Sequence, residues 1–219
     1  MARDDWIMAA ALLAEEIDYP NFKDEVLDTS RLYNGHMNAL FTLAEEVGVN
    51  ERTLRRAVNR GTFRATRPTP RKLDISLAEK VYIRRSWTEL AALRASLRTE
   101  PNVRFAMLFG SMARGDFDDQ SDIDLLVEMR ATEASQGLDL ALNLQARTGR
   151  DVDILAVDQA LANPHLLIAA MGDGRLLVDR DSRFPEIQAA NRKLLRSAAS
   201  RDKKRMDDAL AGIDRLLGA

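Results

Sequence analysis

The 219-residue chain predicts an α+β protein: a helical N-terminal part, then a small mixed sheet flanked by helices. Three observations predict it. Apolar runs at 103–109, 123–127 and 151–157 are short enough for buried strands. Helix start and stop signals cluster between residues 42 and 76. The stretch between the second and third strands, 133–148, has helical spacing and ends at Gly149.

The totals narrow the field. Hydrophobic residues make up 46% and charged residues 30%, ordinary for a globular protein. The length suits one large or two small domains, divided here as 1–75, a connecting helix 76–98, 99–182 and a C-terminal helical segment 183–219. Cysteine is absent, which excludes disulfides, thiolate metal sites and cysteine nucleophiles. No apolar run has bilayer-spanning length and no signal-like start is present, so the expectation is a cytoplasmic protein without a membrane partner. His36 and His165 lie too far apart for metal-ligand spacing.

The net charge of −2 hides segregation. Residues 1–29 carry eight acidic and two basic side chains; residues 51–72 carry eight basic and one acidic. Segregation of this kind marks a nucleic-acid surface inside a near-neutral protein.

Taken in order, 5–17 and 30–40 read as helices. Thr42 to Glu45 reads as a capping box opening a short helix to Val47. Gly48-Val49-Asn50 reads as a turn. Asn50 then caps a helix from Glu51 to Asn59 or Arg60, stopped by Gly61. Leu54 and Val58 face inward, which leaves Arg52, Arg55, Arg56 and Asn59 on the other side, shaped as a DNA-reading face. Residues 62–65 and 72–75 read as a hairpin, a candidate wing, with Arg64, Arg67 and Arg71 extending the basic surface. Ser76 to Glu79 is a second capping box, opening a helix to about Leu97 with an apolar stripe of Leu77, Val81, Trp87, Leu90, Leu93 and Leu97. Trp87 is expected in core or interface rather than on a nucleotide. Pro164 begins a helix towards Met171, 172–174 reads as a turn, and 175–179 as a strand. Residues 184–217 read as one or two helices, with the basic cluster from Arg192 to Arg205 as a solvated face.

The chemistry sits between the first two strands. Gly110-Ser111 ends the first, and Asp122 and Asp124 lie at the start of the second. Carboxylates two apart on a strand share a face. Beside a Gly-Ser turn they can hold Mg²⁺ while backbone N–H groups hold a phosphate. Arg114 can neutralise phosphate charge, and Gly115 and Ser121 shape the loop.

Gly110-Ser111-x-Ala113-Arg114-Gly115, followed by Ser121-Asp122-Ile123-Asp124-Leu125, resembles the active-site motif of the DNA polymerase beta-like nucleotidyltransferase superfamily, most closely its minimal nucleotidyltransferase (MNT) branch. The resemblance covers about residues 100–180 and implies a small nucleotidyltransferase domain. It implies a third carboxylate at Asp153 within Val152-Asp153-Ile154, with Asp151 as competitor. Asp122, Asp124 and Asp153 would then be catalytic residues and ligands of two Mg²⁺ ions, and Gly110, Ser111 and Arg114 would bind ATP. Residues 43–56, Leu-Ala-Glu-Glu-Val-Gly-Val-Asn-Glu-Arg-Thr-Leu-Arg-Arg, resemble the helix-turn-helix of bacterial regulators.

Together these imply an autoregulating antitoxin that transfers AMP to a hydroxyl on a cognate, HEPN-type toxin and binds operator DNA as a homodimer or hetero-oligomer. The alternatives are a regulator whose domain only senses a nucleotide, a toxin, and an enzyme modifying small molecules.

Overall fold

The computed structural model describes residues 39–69, 72–130 and 134–217. The helices expected over 5–17 and most of 30–40, and His36 and Arg71, lie outside the described residues.

Helix α1 spans Ala39–Glu46 and buries Leu40, Leu43 and Ala44, the i, i+3, i+4 stripe. Thr42 therefore lies inside the helix and is not its N-cap, because the buried stripe begins two residues earlier. Gly48 turns the chain at φ 72°. Helix α2, Glu51–Arg60, is capped by Asn50, whose side chain accepts from the Thr53 N–H at 2.8 Å. It ends at Gly61, left-handed at φ 88°, and buries Leu54, Ala57 and Val58.

The hairpin differs from expectation. Its strands are β1, Thr66–Thr69, and β2, Lys72–Asp74, paired antiparallel. Residues 62–65 are engaged elsewhere: the Thr62 hydroxyl donates to the Leu176 carbonyl at 2.7 Å, and the Arg64 N–H donates to Glu79 Oε1 at 2.9 Å. Pro68 is tolerated because a two-stranded ribbon is all edge.

Helix α3, Leu77–Thr99, starts at Ser76, whose hydroxyl accepts from the Glu79 N–H. Leu90, Leu93 and Leu97 are buried as expected, but Leu77 and Val81 are 75% and 55% exposed. The helical period running back from Leu97 passes through Ser86, Ile83, Tyr82 and Glu79, all buried, and leaves those two residues out of phase. Trp87 stacks on Phe63 and packs against the core.

Four strands form the main sheet in the order β5-β4-β3-β6. They are β3 (Val103–Phe109), β4 (Ile123–Met129), β5 (Val152–Ala156) and β6 (Arg175–Asp179). Strands β4 and β5 are parallel, joined through helix α5 (Ala134–Thr148), and the other pairs are antiparallel. The expected mixed sheet flanked by helices is present. One face packs Ala106, Leu108, Leu125 and Val127 against α1, α2, α3 and α5 in a single cluster. The other packs Phe105, Met107 and Leu126 against α6 (Val157–Ala162), α7 (Pro164–Asp173) and α8 (Arg183–Leu217). Helix α6 was not expected, and α7 continues through Gly172 and Asp173, where a turn was expected. The C-terminal segment is one helix, and its Arg192, Lys193 and Arg196 are exposed.

Candidate active site

Strand β3 ends at Phe109, and a five-residue helical turn, α4 (Gly110–Arg114), follows. Gly110 has φ 73°, where side chains other than glycine are strained. A Cβ there would lie 2.0 Å from Asp124 Oδ2. Glycine is thus required twice, for the turn and for the close approach of a carboxylate to the backbone. Ser111 is half-buried beside it.

Strand register assembles the carboxylates. Asp124 pairs with Phe109 across to β3 and with Asp153 across to β5. Asp122 precedes it by two residues on the same face. Burial first, then the charges of Asp153 and Asp122, raise the pKa of Asp124, and Arg114 opposes them. Among the described residues no group of three or more His, Cys, Asp or Glu side chains is arranged to hold a metal ion; Asp122, Asp124 and Asp153 meet only as neighbouring charges. The donors are all oxygens, which suits a hard cation such as Mg²⁺. A cation would also relieve the repulsion at Asp124, so the residues fit the ion.

Asp151 is the weaker candidate for the third position. Its side chain accepts a hydrogen bond from Gln145 Nε2 at 2.7 Å, and it lies just before β5 begins. Asp153 has the strand position facing Asp124.

Arg114 is held between two carboxylates, Asp173 at 2.9 Å and Asp116 at 3.3 Å, and these raise its pKa. It stands near Asp124, since its charge acts there, but its guanidinium is already engaged.

The spacer between Gly110-Ser111 and Asp122 is fastened by two arginines that carried no sequence signal. Arg150, nearly buried, donates to the Asp118 and Ser121 carbonyls at 2.6 and 3.0 Å. Arg85 donates to the carbonyls of Gly115 and Phe117 and lies over the Phe117 ring. Asp118 closes the loop by accepting from the Gln120 N–H and the Ser121 hydroxyl.

A third arginine was also missed. Arg175 is 1% exposed. It donates to the Ala113 carbonyl at 2.5 Å, to the Thr62 carbonyl at 3.3 Å and to both Glu79 oxygens at 2.6 and 3.1 Å. Its guanidinium lies 3.5 Å from the Tyr82 ring centroid, and the Tyr82 hydroxyl donates to the Met112 carbonyl. The turn bearing Ser111 thus rests on a buried ion pair that also grips the loop after α2.

The basic residues of the N-terminal part fall into two groups. Arg52, Arg56 and Asn59 are exposed on α2, while Arg55 is half-buried and pairs with Glu51. Arg64 and Arg67 are exposed as well but hydrogen-bonded: Arg64 donates to the Asp173 carbonyl at 2.8 Å, and Arg67 donates to the Asn59 side chain. Among the described residues no helix is long and apolar enough to cross a membrane.

Residues 92–183 match the family model described as Polymerase beta, Nucleotidyltransferase. That stretch runs from mid-α3 to the start of α8 and holds every residue of the Gly-Ser and Asp-x-Asp motif; for it, the likeness to the nucleotidyltransferases is shown. No curated protein matches the chain. A chain from the crystal structure of a toxin-antitoxin with AMP-PNP is 23% identical, with a TM-score of 0.40 over 52% of this chain and 93% of its own. One from the toxin-antitoxin MntA-HepT is 19% identical, with a TM-score of 0.42 over 57% and 98%. One from a complex of tri-AMPylated Shewanella oneidensis HEPN toxin with MNT antitoxin is 17% identical, with a TM-score of 0.39 over 54% and 98%.

Proposed function

We propose that the protein is a DNA-binding nucleotidyltransferase that moves AMP from ATP to a hydroxyl group on a partner protein, and that it serves as an autoregulating antitoxin in the cytoplasm. The observation that carries the transfer reading is the fit of Asp124 against Gly110 with Asp153 beside it in register. The family match over 92–183 supports the reaction class. The MNT-like Gly-Ser-x-Ala-Arg-Gly and Ser-Asp-Ile-Asp-Leu strings support AMP as the group transferred and a HEPN-type toxin as acceptor. The exposed polar face of α2 supports operator binding. In this reading 1–75 is the DNA-binding part, 76–98 the connecting helix, 99–182 the transferase and 183–219 a C-terminal segment.

Gly110 and Ser111 hold the β- and γ-phosphates through backbone N–H groups and the Ser111 hydroxyl. Asp122, Asp124 and Asp153 would hold Mg²⁺, which when bound would supply charge stabilisation for the attacking and leaving oxygens. The acceptor hydroxyl oxygen bonds to the α-phosphorus, the bond from that phosphorus to pyrophosphate breaks, and Asp153 takes the hydroxyl proton. Arg85 and Arg150 keep the spacer loop fixed, so that the turn and the aspartates keep their separation.

The test is transfer of label from α-labelled ATP to a co-expressed partner. Asp153→Asn is expected to be inactive and Asp151→Asn active. The reverse would move the third carboxylate by two residues. ATP binding with no transfer under any acceptor would leave a nucleotide-sensing regulator instead.

A further inference from the structure

Four arginines outside the transferase motif crowd one side of the molecule. Arg56 and Arg60 are one turn apart on α2, and Arg94 and Arg98 are one turn apart near the end of α3. Strand β6 brings the two pairs together. Gly61, next to Arg60, accepts from the Leu176 N–H at 3.1 Å, and Arg94 donates through Nε to the Leu177 carbonyl at 3.0 Å. The two helices therefore meet β6 at consecutive residues.

Partial burial and then the charges of Arg98 and Arg56 lower the pKa of Arg60. Burial, Arg60 and Arg98 push Arg94 down to about 10. Among the described residues no carboxylate forms an ion pair with any of the four, whereas Arg104, Arg114, Arg150, Arg175 and Arg183 each have one. Arg180 adds a fifth guanidinium close by, donating to the carbonyls of Arg98, Glu100 and Pro101 at 2.7 to 2.9 Å. A surface that gathers cations at a cost and supplies no anion of its own is built for an outside anion.

We propose that Arg60, Arg94 and Arg98, with Arg56, form a site for the phosphate backbone of duplex DNA that continues the polar face of α2 onto the end of α3. The proposal rests on the operator-binding reading and adds residues to it. Arg64 and Arg67 each hold one hydrogen bond at the surface, Arg64 to the Asp173 carbonyl and Arg67 to Asn59, and the cluster supplies further phosphate contacts beside theirs. Duplex DNA is favoured over a mononucleotide because Arg56 joins this cluster to the exposed face that carries Arg52 and Asn59. An extended polyanion can lie along both, whereas a single nucleotide covers one end.

The experiment is a salt series of binding by the full chain to its promoter duplex and to a random duplex of equal length. Wild type is compared with Arg98→Gln, Arg94→Gln/Arg98→Gln and Arg98→Lys. Both Gln variants are expected to lose affinity by the same factor on the two duplexes, and to flatten the plot of log affinity against log salt by about 0.9 per lost phosphate contact. Arg98→Lys is expected to restore the slope, because a phosphate contact needs charge rather than guanidinium shape. Thermal melting checks that the variants are folded; Arg98→Gln, which removes an exposed, repelling charge, is expected to melt no lower than wild type. Unchanged affinity and slope in the Gln variants, with wild type binding, would overturn this site alone. No binding by wild type to either duplex would bring down the operator reading and this site with it. Full displacement of DNA by equimolar inorganic tripolyphosphate or poly-glutamate would also overturn it, in favour of a small polyphosphate or an acidic protein.

Discussion

Two like-charge crowds stand in one near-neutral chain, and they are held differently. At the aspartate end Asp124 and Asp153 are fixed by strand register, with Asp122 just before the strand and Asp124 pressed against the backbone of Gly110. On the N-terminal side Arg56, Arg60, Arg94 and Arg98 project from two helices on long stems, three of them exposed. Each crowd calls for a counter-charge. Rigid carboxylates suit one small hard cation at fixed distances. Flexible guanidiniums suit a polyanion whose phosphates recur along a line. The precision of the support thus tells which kind of partner each crowd expects.

The largest effect expected is at the rigid end. Gly110→Ala forces a Cβ into the Asp124 carboxylate at a backbone angle alanine resists. It should cut label transfer about a thousandfold, the equivalent of roughly 4 kcal/mol, as should Asp124→Asn. Near-wild-type transfer by both would remove the distinction between the rigid and the flexible crowd.

Next comes the link between the two regions. Arg175→Met leaves Glu79 buried without its cation and should cost about 3–5 kcal/mol in urea unfolding. Adding Glu79→Gln should recover a good part of that loss. If the double variant is no more stable than the single, the pair is not what joins the regions.

A smaller effect tests the flexible end. Arg52→Ala, on the exposed face of α2, should cost about 1–3 kcal/mol on promoter DNA and relax preference at one base position. A uniform loss on all sequences would make Arg52 a phosphate contact like its neighbours.

The smallest concerns repulsion itself. Without Mg²⁺ at neutral pH, Asp124→Asn should melt slightly higher than wild type, by less than about 1 kcal/mol, since it removes a cross-strand like-charge contact with Asp153. A lower melting temperature would mean that the carboxylate is structurally needed.

The Gly-Ser and Asp-x-Asp end is legible in the sequence because its motif is local. Gly110-Ser111, Asp122 and Asp124 lie within fifteen residues, and Val152-Asp153-Ile154 repeats the strand pattern. Caps at Asn50, Gly61 and Ser76 were legible for the same reason. What escaped notice was long-range. Arg175 meets Glu79 across 96 residues, and Arg150 meets Asp118 across 32, with no spacing rule to join either pair. The wing misplaced its first strand because Thr62 and Arg64 answer to β6 and Glu79 rather than to each other. Leu77 and Val81 misled because hydrophobicity does not reveal the phase of a helix when Glu79 has a buried partner.

Arg175 also bears on how such a chain can be cut or recombined. Its strand belongs to the main sheet, Glu79 to α3 and Thr62 to the loop after α2. A break between the halves at residue 98 would leave the transferase piece with a stranded interior cation and no counter-ion to follow it. A shorter piece that keeps the counter-ion would have to start before Glu79, or carry an uncharged side chain at 175. The same holds for exchanging modules: a foreign N-terminal part would need to bring a backbone carbonyl to the position of Thr62 and dock on a helix that keeps Glu79, so the parts are constrained to change together.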